Sequence, residues 1–288
     1  MQEFASGWKK SYYGKGDVTV YRLQRDAKCP QGRSPVFGAS VMMLLHGESF
    51  WPTYVTGDNT NLVATDSMKN FIQRETLNFR GYDLESYTRF LAEKFLHTYP
   101  QTEGIQVSAT EVPYDPVPGG NMAHEPSGPE RATARLELRR NGTELQIVEA
   151  CSGIKNFRLL RLGGSAFFGF VRDQYTTLPD ITDRPLHMWL DMEWWYISPD
   201  AACSDGQITA RVHQIVQQVF QSFDSGSIQQ LIYQIAVKML AATPWIAEVH
   251  LEANNRTWDT VTEAGEVGVF TDARPPFGCL GLRMKRQG

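Results

Sequence analysis

The residues that could do chemistry are scattered. The six histidines, His46, His97, His124, His187, His213 and His250, show no metal-like spacing to one another or to cysteine, so structural or surface roles suit them better than ligation. Cys29, Cys151, Cys203 and Cys279 are far apart with no C-x-x-C. That excludes zinc knuckles and redox pairs and suits reduced thiols. Neither phosphate-binding glycine motif occurs, and no G-x-S-x-G nucleophile elbow is present. What remains is a set of local oddities. Lys15 lies between Gly14 and Gly16 at a strand start. Thr65 and Asp66 open a helix, where free N–H groups favour an anion, although a plain N-cap is the simpler reading. Ser227-Ile228-Gln229 opens another helix. Phe167-Phe168-Gly169-Phe170 suits stacking on a ring or ordinary core packing, and Arg172-Asp173 and Asp183-Arg184 read as surface ion pairs.

These residues need elements to hold them. Val18 and Val20 alternate with Thr19 and Tyr21 along a strand at Asp17–Leu23. Ala39–His46 is a second strand; it contains the longest apolar run, Val41 to Leu45, and so reads as more buried. One helix starts at Thr65-Asp66, with Met68, Phe71 and Ile72 on one face. Another follows Asp83, with Leu84, Tyr87, Phe90, Leu91 and Phe95 at helical spacing. Ile105–Pro113 and Thr133–Arg139 are strands, and Asn141-Gly142 is a strong hairpin signal. After it come a strand or strand pair over Thr143–Leu162, and a strand at Leu186–Tyr196. A helix carries the stripe from Ile208 to Phe223, and a second, capped by Ser227, carries Ile228 to Met239. Closing strands run over Glu248–Asp259 and Gly265–Lys285.

The order is ββααββ, twice. Ala92, Lys94, Leu96 and Pro100 recur as Ala236, Lys238, Leu240 and Pro244, each 144 positions later, half of the 288-residue chain. Hairpin-linked strands with helices in blocks indicate an α+β fold, antiparallel sheets with helices on one face. The natural division is residues 1–141 and 142–288. A hydrophobic fraction of 42% with 21% charged residues is ordinary for a globular protein. The net charge of −4 argues against nucleic acid or an anionic membrane as partner. No segment has the length of a bilayer span or the form of a secretory signal.

Taken together, the oddities carry a resemblance. Gly14-Lys15-Gly16-Asp17-Val18 resembles the opening strand of the urate oxidase (uricase) family. Gly57-Asp58-Asn59 followed by Val63-Ala64-Thr65-Asp66-Ser67-Met68-Lys69-Asn70 is similar to its GDN…VATDSxKN signature. Phe170 to Leu178, Asp183-Arg184-Pro185-Leu186, Ser227-Ile228-Gln229 and Arg274-Pro275-Pro276-Phe277-Gly278 also match, nearest to the bacterial, Bacillus-type branch. The resemblance implies the T-fold, with two tandem ββααββ units per subunit. Subunits would pair into a sixteen-stranded barrel, and two barrels would stack into a tunnelled homotetramer with sites at subunit interfaces.

The implied reaction, in purine degradation, takes urate, O₂ and water to 5-hydroxyisourate and H₂O₂, with no metal or other cofactor. Lys15 and Thr65 match the catalytic dyad, the lysine taking a proton from urate through the threonine hydroxyl. A free lysine, with a pKa of about 10.4, must be desolvated or set near another cation to act so. Arg184 matches the arginine that holds urate by two hydrogen bonds, and Gln229 the amide on the opposite ring edge. The N–H groups of Asp66 and Ile228 would complete the cradle. Phe167 would stack under the ring, Leu178 would form a wall, and Asn255 would sit at the O₂ or water site.

One departure is clear. Where many members have Asn-x-His-aromatic, this chain has Asn255-Arg256-Thr257-Trp258. Thr257 then stands at the relay position; it can pass a proton through water but cannot hold a charge. Two other readings follow: oxidation of another 8-oxopurine-like heterocycle, or purine binding without catalysis. The C-terminal Met284-Lys285-Arg286-Gln287-Gly288 is not a peroxisomal address, so a bacterial cytoplasm is expected.

Overall fold

A computed structural model describes residues 11–25, 34–120, 122–203, 206–256, 258–272 and 275–287. Cys29, Thr257 and Arg274 lie outside the described residues. The chain divides into two compact units. Unit 1 is Met1–Ser127, Thr133–Cys151 and Ala202–Gly206; unit 2 is Gly128–Ala132, Ser152–Ala201 and Gln207–Gly288.

In unit 1, β1 (Tyr12–Leu23) and β2 (Val36–His46) pair antiparallel. A short helix α1 (Trp51–Thr56) follows, then α2 (Thr65–Glu75) and α3 (Leu84–Thr98), β3 (Gly104–Glu111), a small hairpin of β4 (Tyr114–Pro116) and β5 (His124–Pro126), and β6 (Arg131–Asn141). The sheet order is β1-β2-β3-β6, all antiparallel. Helix α2 packs on β1 and α3 on β3. Only one face is covered. Val41, Met43 and Leu45 are buried while Met42 is 44% exposed. The apolar run read as the more buried strand is buried on one side, because antiparallel strands bury alternate residues against a single helix layer. Asp83 caps α3 by accepting from Ser86 N–H at 2.8 Å. Inside, Tyr87 and Thr76 share a 2.6 Å hydrogen bond, and burial pushes the Tyr87 phenol up to about 12.

The turn at Asn141-Gly142, with Gly142 at φ +63°, leads into one long strand, β7 (Glu144–Arg161). It begins in unit 1 and ends in unit 2. Unit 2 continues with β8 (Leu186–Tyr196), a 3-10 turn (Pro199–Cys203), α4 (Ile208–Ser222), α5 (Ile228–Ala242), β9 (Ile246–Asn255), a hairpin of β10 (Thr260–Ala264) and β11 (Val267–Phe270), and β12 (Gly278–Lys285). The order here is β7-β8-β9-β12. Met188, Leu190, Met192 and Trp194 are all fully buried, as are Leu231, Ile235 and Met239 of α5.

The last stretch departs from the sequence reading. Glu248–Asp259 and Gly265–Lys285 are not two strands. β9 stops at Asn255, and a separate hairpin intervenes before β12. Gly265 turns at φ +61°, and Pro275-Pro276 has no N–H to extend a ladder. The inserted hairpin falls between the third and fourth strands in both units. Each unit is thus a ββααββ T-fold module with the same insertion. Among the described residues no helix is long and apolar enough to cross a membrane.

Candidate functional site

In unit 1 the chemistry gathers where β1 meets the start of α2. Lys15 pairs with Met43 and Val18 with Val41, so Gly16 and Asp17 together face Met42 in a bulge. Asp17 sits there at φ +54°. The bulge re-aims the strand directly beside Lys15, which is half-buried. Gly14 is required by close approach, since a Cβ there would lie 1.9 Å from the Met43 carbonyl oxygen. The Tyr13 hydroxyl accepts from Val63 N–H at 3.0 Å and its ring meets Phe50 edge-on at 4.7 Å. Burial raises the Tyr13 phenol despite that hydrogen bond. Tyr13 therefore fastens the lysine's strand to the residues just before Thr65. Sequence reasoning missed it, because the signal is a bond across fifty residues.

Helix α2 begins at Thr65, but its N-cap is Ala64 with no side-chain cap. The expectation that Thr65 or Asp66 caps the helix is corrected: both lie inside it. The N–H groups of this first turn have no intrahelical acceptor, and the first such acceptor, Ala64 O, is taken by Met68. Asp66 is exposed. Its carboxylate is held below the usual range by hydrogen bonding to Lys69 (2.5 Å) and that residue's charge, then by Asn70 (2.9 Å) and the Lys15 charge. Lys15 is thus near enough to Asp66 for its charge to act on that carboxylate, and Thr65 precedes Asp66 in the helix.

In unit 2, Phe167 forms a two-residue antiparallel bridge with Ile181, through hydrogen bonds of 2.7 and 2.9 Å. Its ring stacks on Phe170 at 5.0 Å. Between Phe167 and Ile181 the loop is braced by Arg172, which pairs with Asp180 at 3.0 Å, donates to Leu178 O at 3.2 Å and lies over Phe170. The two surface pairs read from sequence are both replaced. Asp173 instead closes its own turn with Tyr175 and Thr176, and Asp183 accepts from Gly164 N–H at 2.6 Å. Both carboxylates have backbone N–H groups within reach, and these take the place of the neighbouring guanidinium.

Arg184 is left over. It is half-buried, its Nε–H is buried with no partner among the described residues, and burial alone lowers its pKa. Nearby in the fold, α5 starts at Ile228 behind its cap. Ser227 Oγ accepts from Gln230 N–H at 3.1 Å, and Gln230 Oε1 accepts from Gly226 N–H at 2.8 Å. The cap satisfies the third helical N–H and leaves those of Ile228 and Gln229 free for a ligand. Leu178 is 41% exposed. Asn255 ends β9 opposite Met188 and Gly278. Next to it, the Arg256 guanidinium lies between the Trp189 and Phe277 rings, at 4.2 and 3.8 Å. Among the described residues no group of three or more His, Cys, Asp or Glu is placed to hold a metal ion.

Two T-fold modules, each with antiparallel strands and a pair of longer helices, define an α+β protein of the tandem T-fold class. The family model for uricase matches residues 11–138 and again 150–278. A uricase of Halalkalicoccus jeotgali is 37% identical, covering 95% of this chain and 97% of that relative. The uric acid degradation bifunctional protein PucL of Bacillus subtilis is 36% identical over 96% of this chain, which spans 61% of that longer protein. A crystal structure of a uricase from Bacillus fastidious superposes with a TM-score of 0.87 at 35% identity, covering 96% of this chain and 94% of that one. The chain belongs to the uricase family.

Proposed function

We propose that the chain oxidises urate by means of a Lys15–Thr65 proton relay in unit 1 and a binding wall of Phe167, Leu178, Arg184, Ile228, Gln229 and Asn255 in unit 2. Urate oxidation in uric acid degradation is the activity that family membership carries. The observation that carries the site reading is Arg184, a half-buried guanidinium whose buried Nε–H has no partner among the described residues. Such a donor is costly to keep unless a ligand completes it. A planar purine anion supplies two acceptors in the guanidinium plane.

With Arg184 on one edge of the ring and Gln229 on the other, the free N–H groups of Asp66 and Ile228 would hold the remaining oxygens. Phe167 would support the ring face. Lys15, reached through the Thr65 hydroxyl, would remove the proton that makes the purine electron-rich. Two electrons then pass to O₂, which takes two protons to leave as H₂O₂, and water adds to the oxidised ring to give 5-hydroxyisourate. In this scheme urate itself is the reductant, and no metal or other cofactor takes part. Asn255 would stand at the O₂ or water position, and Thr257, outside the described residues, would pass a proton through water.

We further propose that residues 1–141 and 142–288 are the two T-fold units, and that subunits assemble as a barrel-forming homotetramer in the cytoplasm. Lys15, Thr65 and Asp66 of one subunit would then meet the unit 2 wall of another. Lys15→Ala and Thr65→Ala should each lower turnover roughly 10²- to 10⁴-fold, the usual worth of a positioned proton-transfer group. Near-normal rates in both would overturn the dyad.

A further inference from the structure

Three segments carry the unit 2 wall: the loop reaching Phe167, the pair Asp183-Arg184, and the entry to α5 at Ile228-Gln229. Two of them are held by one guanidinium that the scheme above does not use, and the Asp183-Arg184 pair joins them through the Gly164 N–H. Arg161, the last residue of β7, donates through Nη1 to Phe220 O (3.0 Å) and Phe223 O (2.8 Å) at the end of α4. Through Nη2 it donates to Ser225 Oγ (2.7 Å) and to Gly164 O. Only its Nε–H lacks a partner among the described residues.

Around it the segments are stitched directly. Ala166 N–H donates to Ser225 O (2.8 Å) and Ser225 N–H to Gly164 O (2.9 Å), in a parallel bridge whose serines are each 1% exposed. Asp183 Oδ1 accepts from Gly164 N–H (2.6 Å) and, more weakly, Ser165 N–H (3.4 Å). Gly164 holds φ +74°, and a Cβ there would lie 2.5 Å from Asp224 Oδ1, so the crossing admits no side chain. Phe167 lies just beyond Gly164 in the chain, Arg184 adjoins Asp183, and Ile228-Gln229 follow Ser225 closely.

We infer that Arg161 is the positioning residue of the unit 2 wall. Its planar fork sets the spacing among Phe167, Arg184 and the open N–H groups of α5, and so sets affinity for urate. The inference rests on the reading of those residues as the urate site. A guanidinium is suited to this work because its four Nη hydrogens diverge in one plane and reach two chain segments at once. Arg161 takes no part in the proposed proton relay, so disturbing it alters ground-state and transition-state binding alike. That signature is a raised KM with kcat kept.

The test is steady-state kinetics with urate on the full-length protein, together with amide hydrogen exchange. Arg161→Gln should raise KM roughly tenfold or more, with kcat changed by less than about threefold, since small misplacements of binding groups are expensive. Arg161→Lys should recover part of the loss, because an ammonium keeps three donors but not the fork. Exchange should quicken together in residues 164–167 and 225–229 while β8 and β9 stay protected. If both loops loosen yet KM stays within roughly twofold, or if kcat falls with KM unchanged, Arg161 is structural only and the inference fails. Should Arg161→Gln not fold, Ser225→Ala removes one acceptor alone and should still raise KM by about two- to threefold; no change there also overturns the inference. Arg184→Gln, run alongside, separates the two claims. An unchanged KM in that variant defeats the site reading, whereas the Arg161 result and the exchange data bear on the positioning role.

Discussion

Replacing Arg184 by methionine should make the unliganded protein more stable and nearly blind to urate. In the wild type the Arg184 Nε–H is buried without a partner among the described residues. An unmet buried donor costs about 1–3 kcal/mol, and because the rest of the head is only half-buried the lower end applies, about 1 kcal/mol. Methionine keeps an apolar stem of similar reach and has no donor to satisfy. For a chain of this size the gain amounts to about 2 °C in Tm. The loss on binding is larger. Two charge-assisted hydrogen bonds at about 1.5–3 kcal/mol each give about 3–6 kcal/mol together, or roughly two to four powers of ten in affinity. Anaerobic thermal unfolding with and without saturating urate reads both effects, because ligand that binds only the folded state raises Tm without turnover. A methionine variant that melts below the wild type without urate, or that gains as much from urate as the wild type does, would refute the reasoning.

The remaining predictions concern the scaffold. Gly14→Ala should destabilise by about 1–3 kcal/mol and depress turnover, since backbone at Met43 must move and Lys15 moves with it; urea midpoints and urate kinetics check both. The His187 imidazole is held below its ordinary value by burial first and the Arg158 charge next, with Asp272 opposing and Arg256 adding. Its contribution to stability is therefore whole above the unfolded pKa of about 6.5 and is lost as pH falls below it. Wild type should lose more stability than His187→Gln between about pH 7.5 and 5.5 in urea titrations, and equal losses would contradict the assignment.

Much of this was legible from residue patterns alone, wherever local chemistry and burial agree. The strand at Leu186–Tyr196, the helix following Asp83 and the Ser227 cap are local signals, and the structure has each of them. The Asn141-Gly142 turn is likewise local, because a positive φ needs a glycine. The β4–β5 and β10–β11 hairpins were not legible. Their strands are short and exposed, so no hydrophobic alternation marks their ends. Likewise α1 spans only six residues with none buried, too little for a periodic stripe. For the site, Lys15 and Arg184 stood out by resemblance, but what holds them did not. Tyr13 reaches Val63, and Arg161 reaches Ser225, across distances in sequence that no pattern of neighbours encodes.

The central claim is that this chain oxidises urate with O₂ using only its own residues. The most direct measurement follows urate absorbance, O₂ uptake and H₂O₂ formation together, on purified protein stripped with a chelator. The account predicts that urate and O₂ disappear in equal amounts, that H₂O₂ appears to match, and that Lys15→Ala slows all three signals together by roughly 10²-fold or more. Urate that persists while O₂ stays constant in the wild type, or activity that returns only when a metal is added back, would contradict it.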